Sequence, residues 1–277
     1  MSVVVIGDAL IDELRDDGRV GVREFVGGAA LNVAVGLTRL GVPATLIAMV
    51  GDDEAGDHIR AYLRDYGVTL LASPGPRGSS RAVSLRGVGG EPTYVFNDAA
   101  RARAVRFGDA ERAAIAEADL VVVSCFPFDD ADQAAALAEV VDGTPVAVDP
   151  NPRTGMMRDR AAFVRGFEAL AARAVLVKVG EDDAAVLYGD TLDALRARMA
   201  ELGVPAVVAT AGAAGAAVVA DGTVVSVPVA AVAGRIVDTM GAGDAVLSSI
   251  VSSLLDGTTA VTGGWAVALE RAMAVAA

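Results

Sequence analysis

One cysteine, one histidine and one lysine are all that 277 residues contain of those types. With Cys125 alone, no intrachain disulfide framework and no Cys-x-x-Cys metal site can form. It lies beside an apolar run, where cysteine is commonly a small buried hydrophobe. His58 sits in an amphipathic helical pattern without identifiable partners for a catalytic triad or a zinc site. If the chain is an enzyme, carboxylates and backbone groups must carry its chemistry. No Gly-x-x-x-x-Gly-Lys-Ser/Thr sequence occurs, which excludes a P-loop. Because Lys178 is the only lysine, nearly all positive charge is arginine. The formal net charge of −13 argues against nucleic-acid and anionic-membrane partners but permits a locally positive pocket for an anionic small molecule. Met1-Ser2-Val3 opens neither a basic region nor a long apolar stretch, so no secretory signal is expected and the protein is expected to be cytoplasmic. The longest apolar-looking stretch, 204–220, contains Pro205, Thr210, Gly212 and Gly215; it reads as strands around a glycine turn, not a membrane span.

Apolar runs at 3–6, 45–49, 120–123, 146–148, 175–177 and 207–210 alternate with helical patterns, among them 31–40, closed by Gly41, and 57–66, closed by Gly67. This rhythm predicts the α/β class, with a doubly wound, mostly parallel sheet and helices on both faces. Ligands of such sheets bind beyond the carboxyl ends of the strands. The length suits a single domain over 1–277, and no internal repeat or disordered linker is evident. Residues 13–26 and 80–98 break the rhythm. The first segment is polar and irregular, with Val20, Val22 and Phe25 hinting at a strand. The second holds β-like runs at 82–86 and 93–96, joined through Gly89-Gly90. They are expected to form a small β-sheet, either an ordinary hairpin insertion or a lid that excludes water from a crevice. Asp221-Gly222 reads as a structural hairpin turn.

Residues 238–244 read Asp-Thr-Met-Gly-Ala-Gly-Asp, after the strand-like Arg235, Ile236 and Val237. Behind them Val246, Leu247, Ile250, Val251, Leu254 and Leu255 recur at helical spacing. Gly241, Ala242 and Gly243 therefore stand where a helix begins, presenting free N–H groups and the positive end of its dipole to an anion such as phosphate. Asp244 adds a carboxylate in the same turn. Charge stabilisation beside a proton acceptor is what phosphoryl transfer to a hydroxyl needs. Gly27-Gly28-Ala29-Ala30-Leu31-Asn32 opens the first long helix: the glycines allow close approach to the backbone, and Asn32 can donate and accept. Asp8 and Asp12, near the first strand's end, add acceptors suited to a polyol; the alternative is that Asn32 caps its helix and the aspartates are solvated loop residues.

These motifs, in this order along nearly the whole chain, resemble the PfkB (ribokinase-like) carbohydrate kinases. Residues 27–40 look like the family's first signature and 238–244 like its second, with Met240 at a variable place. Val50-Gly51-Asp52-Asp53 with Gly56, Asp149-Pro150-Asn151-Pro152-Arg153, and Thr210-Ala211-Gly212 with Gly215 fit blocks between them. The resemblance implies a ribokinase-like fold with a β-sheet lid at about 13–26 and 80–98, and an ATP-dependent sugar kinase. Asp244 matches the general base, and Gly241, Ala242 and Gly243 match the anion hole. Asp8, Asp12, Gly27, Gly28 and Asn32 match substrate-contacting positions, and Arg153 could reach substrate or γ-phosphate. Thr210, Gly212 and Gly215 match the nucleotide-side loop, which Lys178 could assist. Mg²⁺ would arrive with ATP, and many members place a K⁺ site where Asp238 and Thr239 stand. A carboxylate at a helix N-terminus is expected to be a weak base, tolerable because phosphoryl transfer asks little activation of its nucleophile.

Asp149 to Arg153, the stretch from Lys178 to Asp183, and Thr93-Tyr94-Val95-Phe96 resemble the branch of fructokinases and 2-keto-3-deoxygluconate kinases. A ketohexose such as fructose is the expected substrate. The alternatives are a sugar acid, whose carboxylate Arg81, Arg86, Arg101 or Arg103 would meet, or a ribose or nucleoside. Many relatives carry an Asn-x-x-Glu pair where Gly180 and Asp183 stand, and often a further tail beyond the run 265–276 that helps wall the adenine pocket. These departures admit a binding protein that has lost transfer. A dinucleotide-dependent oxidoreductase is disfavoured, because the first strand leads into Gly7-Asp8-Ala9 without Gly-x-Gly-x-x-Gly spacing. The lid's exposed edges, which relatives often pair across a dimer, suggest a homodimer.

Overall fold

The computed structural model describes residues 1–16, 22–86, 93–220, 222–231 and 239–277. Val20, the Gly89-Gly90 connection, Asp221, Arg235, Ile236, Val237 and Asp238 lie outside the described residues.

Strand β1 (Val3–Gly7) is buried throughout, with Val3 and Val5 turned to one core and Val4 and Ile6 to another. Successive strand side chains point to opposite faces, so an unbroken apolar run must be covered on both sides. After it come β2 (Leu10–Asp16), β3 (Val22–Gly27), α1 (Ala29–Arg39), β4 (Ala44–Val50), α2 (Glu54–Asp65), β5 (Thr69–Pro74), β6 (Ser80–Arg86), β7 (Thr93–Phe96) and α3 (Asp98–Arg101). The chain continues through α4 (Asp109–Ala116), β8 (Leu120–Ser124), α5 (Ala131–Val140), β9 (Val146–Asp149), α6 (Arg160–Ala171), β10 (Leu176–Gly180), α7 (Glu181–Asp183) and α8 (Leu192–Glu201). It closes with β11 (Ala206–Thr210), β12 (Ala216–Ala220), β13 (Thr223–Val227), α9 (Ala242–Leu255) and α10 (Gly264–Ala276).

Among the described residues, nine strands form one sheet in the order β13-β12-β11-β10-β9-β8-β1-β4-β5, and a separate four-stranded sheet runs β3-β2-β6-β7. The large sheet is parallel from β11 to β5, with β12 and β13 antiparallel at its edge. Leu31 and Leu37 of α1, Ile59 and Leu63 of α2, Ile250 of α9 and Leu269 of α10 cover one face. Leu137 of α5, Phe163 and Phe167 of α6, and Leu195 and Met199 of α8 cover the other. This is the doubly wound arrangement that the strand–helix rhythm predicts, with a small separate sheet where the rhythm breaks.

The small sheet differs in detail from the expectation. Residues 10–16, Asp12 among them, are a strand and not a polar loop. The strand pairs antiparallel with β3 and parallel with β6, so main-chain hydrogen bonds on both sides hold a polar sequence extended. Glu13 is neutralised by Arg81, whose Nη1 donates to Glu13 Oε1 at 2.9 Å and to Glu24 Oε1 at 2.7 Å. Strand β5, not among the predicted apolar runs, has the short run Leu70-Leu71-Ala72 but is an edge strand in which only Ser73 is fully buried.

Helices α1 and α9 cross closely. A Cβ on Gly36 would lie 2.5 Å from Ser248 Oγ and 2.9 Å from Ser248 Cβ. Asn32 and Asp244 stand four residues before Gly36 and Ser248, on the same helix faces. The crossing therefore brings the starts of both helices together. Gly36→Leu is expected to cost about 1–3 kcal/mol by overpacking, read as a lower denaturant midpoint; an unchanged midpoint would mean that the crossing has slack.

Candidate active site

The carboxyl ends of β1, β8, β9 and β10 meet the amino ends of α1 and α9. Asp8 follows β1 directly and is buried. Its Oδ1 accepts from Ala30 N at 3.1 Å and its carbonyl from Leu31 N at 3.2 Å, tying the strand end to the first turn of α1. Burial raises its carboxyl pKa, against the Ala30 N–H and the charges of Arg103 and Arg153. Asp12, half-buried on β2, is pushed up to about 6 by burial and then by Asp8, with Arg153 opposing. The glycine pair makes room for both. A Cβ on Gly27 would overlap Asp12 Oδ2; Gly28 has φ 111°, and a Cβ there would lie 2.8 Å from the Asp8 carbonyl oxygen.

Gly241, at φ 82°, caps α9, and Ala242, Gly243 and Asp244 form its first turn. Ala242 N donates back to Thr239 O at 3.2 Å, while Gly243 and Asp244 N–H groups stand at positions that lack an intrahelical acceptor. Asn32 Nδ2 donates to Asp244 Oδ2 at 2.9 Å. Lys178, buried on β10, donates from Nζ to Asp149 Oδ2 at 3.1 Å, and its Nζ lies 3.0 Å from where a Cβ on Gly243 would stand. Burial works against this cation, but Asp149, Asp183 and Asp244 together raise its pKa and keep it charged. A cation at the positive end of a helix is electrostatically unfavourable. The arrangement suits an anion landing between them.

Asp244 departs from the weak base expected at a helix N-terminus. Burial pushes its carboxyl up to about 7; the Asn32 hydrogen bond and Lys178 hold it down, while Asp149 and Asp8 push it further up. Desolvation outweighs the Asn32 hydrogen bond and Lys178, leaving a group able to take a proton near neutral pH.

A description of pfkB family carbohydrate kinases matches residues 1–277. The chain belongs to this family. A fructokinase from Rhizobium leguminosarum bv. trifolii is 32% identical over 274 residues, covering 91% of this chain and 79% of that one. A fructokinase double mutant from Vibrio cholerae O395, solved in fructose, ADP and potassium ion bound form, superposes with a TM-score of 0.80 at 25% identity, covering 100% of this chain and 91% of that one. A putative ribokinase II from E. coli, solved with ATP and Mg²⁺, gives a TM-score of 0.80 at 21% identity over 99% of this chain and 91% of that one. The protein is thus a sugar kinase of ribokinase-like fold, a phosphotransferase with a hydroxyl acceptor.

Within this kinase, Asp8, Asp12, Gly27, Gly28, Asn32, Lys178 and the 241–244 turn converge as the sequence expects. Arg153 joins them: its guanidinium feels the carboxylates of Asp8, Asp244 and Asp149, which raise its pKa against desolvation, although the residue is exposed. The residues leading to it are strained, with φ 50° at Cys125 and 38° at Asn151, where β8 and β9 end. Thr210 ends β11 next to Gly180, and Gly212 lies near Glu181, so the proposed nucleotide loop flanks β10. Gly215 is needed for packing, because a Cβ there would overlap Val227 O. Thr239 precedes α9 and is exposed; its intended partner Asp238 is outside the described residues. No group of three or more His, Cys, Asp or Glu among the described residues is placed to hold a metal ion. Cys125 is buried and burial raises its thiol pKa, and His58 is exposed on α2.

Two buried carboxylates, Asp149 of the 149–153 block and Asp183, which stands where many relatives carry Glu, are not among the expected site residues. Asp149 anchors Lys178. Asp183 accepts from Gly180 N at 2.6 Å, and its pKa is raised by burial against the pull of Lys178. The signal that could have found them is Lys178 itself, because a lysine inside an apolar parallel strand needs a carboxylate close by.

Asp244's raised pKa has a stability consequence. Between 3.8 and about 7 the native state holds a proton that the unfolded chain releases, so stability falls as pH rises through that window. Asp244→Asn removes this penalty. Thermal unfolding is expected to show the variant more stable than the wild type at about pH 8, with the gain shrinking toward about pH 4; a pH-independent difference would contradict the raised value.

Proposed function

We propose that this kinase transfers the γ-phosphate of ATP to a hydroxyl of a ketohexose such as fructose, in the cytoplasm. The observation that carries the reading is the joint placement of Asn32, Asp244, Gly243 and Lys178, which puts a proton acceptor and an anion-seeking cation at one helix start. The sugar lies against Asp8, Asp12, Gly27, Gly28 and Asn32, whose carboxylates and amide match a polyol. Asp244 takes the proton of the attacking hydroxyl. An O–P bond forms to the γ-phosphorus as its bond to the bridging oxygen breaks, and ADP leaves with that electron pair. Gly241, Ala242 and Gly243, with Lys178 and Arg153, offset the charge spread over the moving phosphoryl group. Thr210, Gly212 and Gly215 border the nucleotide. Mg²⁺ arrives with ATP, held by phosphates and water, and neutralises phosphate charge; K⁺ at Asp238 and Thr239 rests on the family resemblance alone.

Of the four arginines that could meet a sugar acid, the side chain of Arg86 lies outside the described residues and Arg103 Nε is buried without a hydrogen-bond partner among them; the engagement of the other groups supports a neutral sugar. Arg81 is engaged by Glu13 and Glu24, Arg101 pairs with Asp98, and buried Arg103 donates to the carbonyls of Ala100 and Cys125. The small sheet acts as a lid that excludes water. Its exposed Phe25, Tyr94 and Val95 support pairing of two lids in a homodimer.

ADP formation measured with fructose, ribose, 2-keto-3-deoxygluconate and a nucleoside is expected to be fastest with fructose. Asp244→Asn is expected to lower turnover by on the order of 10²–10⁴-fold. A sugar-acid preference would overturn the substrate. Sugar binding without ADP formation on any substrate would make the protein a binder that has lost transfer.

A further inference from the structure

Asp149 takes no part in the steps above, yet it is wholly buried at the heart of the cleft. Strand register sets it beside Lys178: Val148 of β9 pairs with Val177 of β10, so the next residues are neighbours on the face toward α9. Its Oδ2 accepts from Lys178 Nζ at 3.1 Å, while Oδ1 is buried without a hydrogen-bond partner among the described residues. A carboxylate buried this way is costly unless something is gained from it.

The gain lies in what Lys178 has to do. A lysine stem has many rotamers, and the ammonium is a point charge without the planar fork that would orient an arginine. Here it must rest against Gly243, at the positive end of α9, where a lone cation is repelled. Asp149 supplies the opposing pull from the sheet. Asp183 also acts on Lys178, but its carboxylate is committed to Gly180 N.

We infer that Asp149 is a positioning residue for phosphoryl transfer: it anchors the Lys178 ammonium beside Gly243, where the transferring group is stabilised. The inference rests on the assignment of Gly241, Ala242 and Gly243 as the anion hole. Its one hydrogen-bonded partner is Lys178, through which it positions the transferring group, beside its direct upward push on the Asp244 carboxyl. Misplacing a stabilising charge by about an ångström can cost on the order of 10²-fold in rate.

The single lysine makes a direct test available. With lysine labelled at Cε and Nζ, the full chain gives one side-chain signal by NMR. In the wild type the Nζ protons are expected to be protected from exchange with water, and the signal to move on addition of ADP with Mg²⁺. In Asp149→Asn the protection is expected to vanish, with kcat reduced on the order of 10²-fold and the sugar KM unchanged. If Asp149 works through Lys178, the double variant Asp149→Asn, Lys178→Met turns over no more slowly than Lys178→Met alone. That double variant, which removes both members of the buried Asp149–Lys178 pair, also serves if Asp149→Asn alone does not fold. A protected, unmoved lysine signal in Asp149→Asn, additive losses, or a lysine signal blind to ADP would overturn the inference. A wild type that forms no ADP with any sugar defeats the kinase reading separately, since the lysine signal reports on Asp149 without turnover.

Discussion

The close crossing of α1 and α9 is the constraint on which the cleft depends. Gly36 and Ser248 leave no space between the helices, and one turn earlier that intimacy becomes the Asn32 to Asp244 hydrogen bond. Asn32 belongs to the helix that follows the glycine pair beside Asp8 and Asp12. Asp244 belongs to the helix whose first turn faces Lys178. One helix contact thus joins a surface suited to hydroxyls to one suited to phosphate, although Asn32 and Asp244 stand 212 residues apart in sequence.

The electrostatics follow from that confinement. Asp8, Asp149, Asp183 and Asp244 are buried in one region with Lys178, and Arg153 faces them from the open side. Burial, with Asp149 and Asp8 adding to it against Asn32 and Lys178, raises the Asp244 carboxyl to about 7. Such crowding opposes folding and favours chemistry. A carboxyl that titrates near neutrality can accept a proton from an attacking hydroxyl, whereas one held low by a helix dipole alone is a poor acceptor.

Much of this was legible in the sequence because the fold reads out through local patterns. Alternating apolar strands and glycine-closed helices predict the doubly wound sheet, and the glycine motifs mark two helix starts. Less legible was whatever depends on distant pairing. The second half of β2, from Glu13 on, reads as polar and irregular because its extension is completed by pairing with β3 and β6. Asp149 and Asp183 stand in motif positions, but their link to Lys178 shows only in the folded sheet. The raised pKa of Asp244 is likewise not legible, because local position predicts the dipole, while burial depends on the tertiary structure.

The most direct test of a shared cleft is a crystal structure with fructose, ADP, Mg²⁺ and aluminium fluoride, a mimic of the phosphoryl group in flight. The fluoride should sit at the first turn of α9 beside Lys178, with a sugar hydroxyl directed at Asp244. Fluoride bound away from that turn, or an Asp244 carboxylate facing no hydroxyl, would contradict the account.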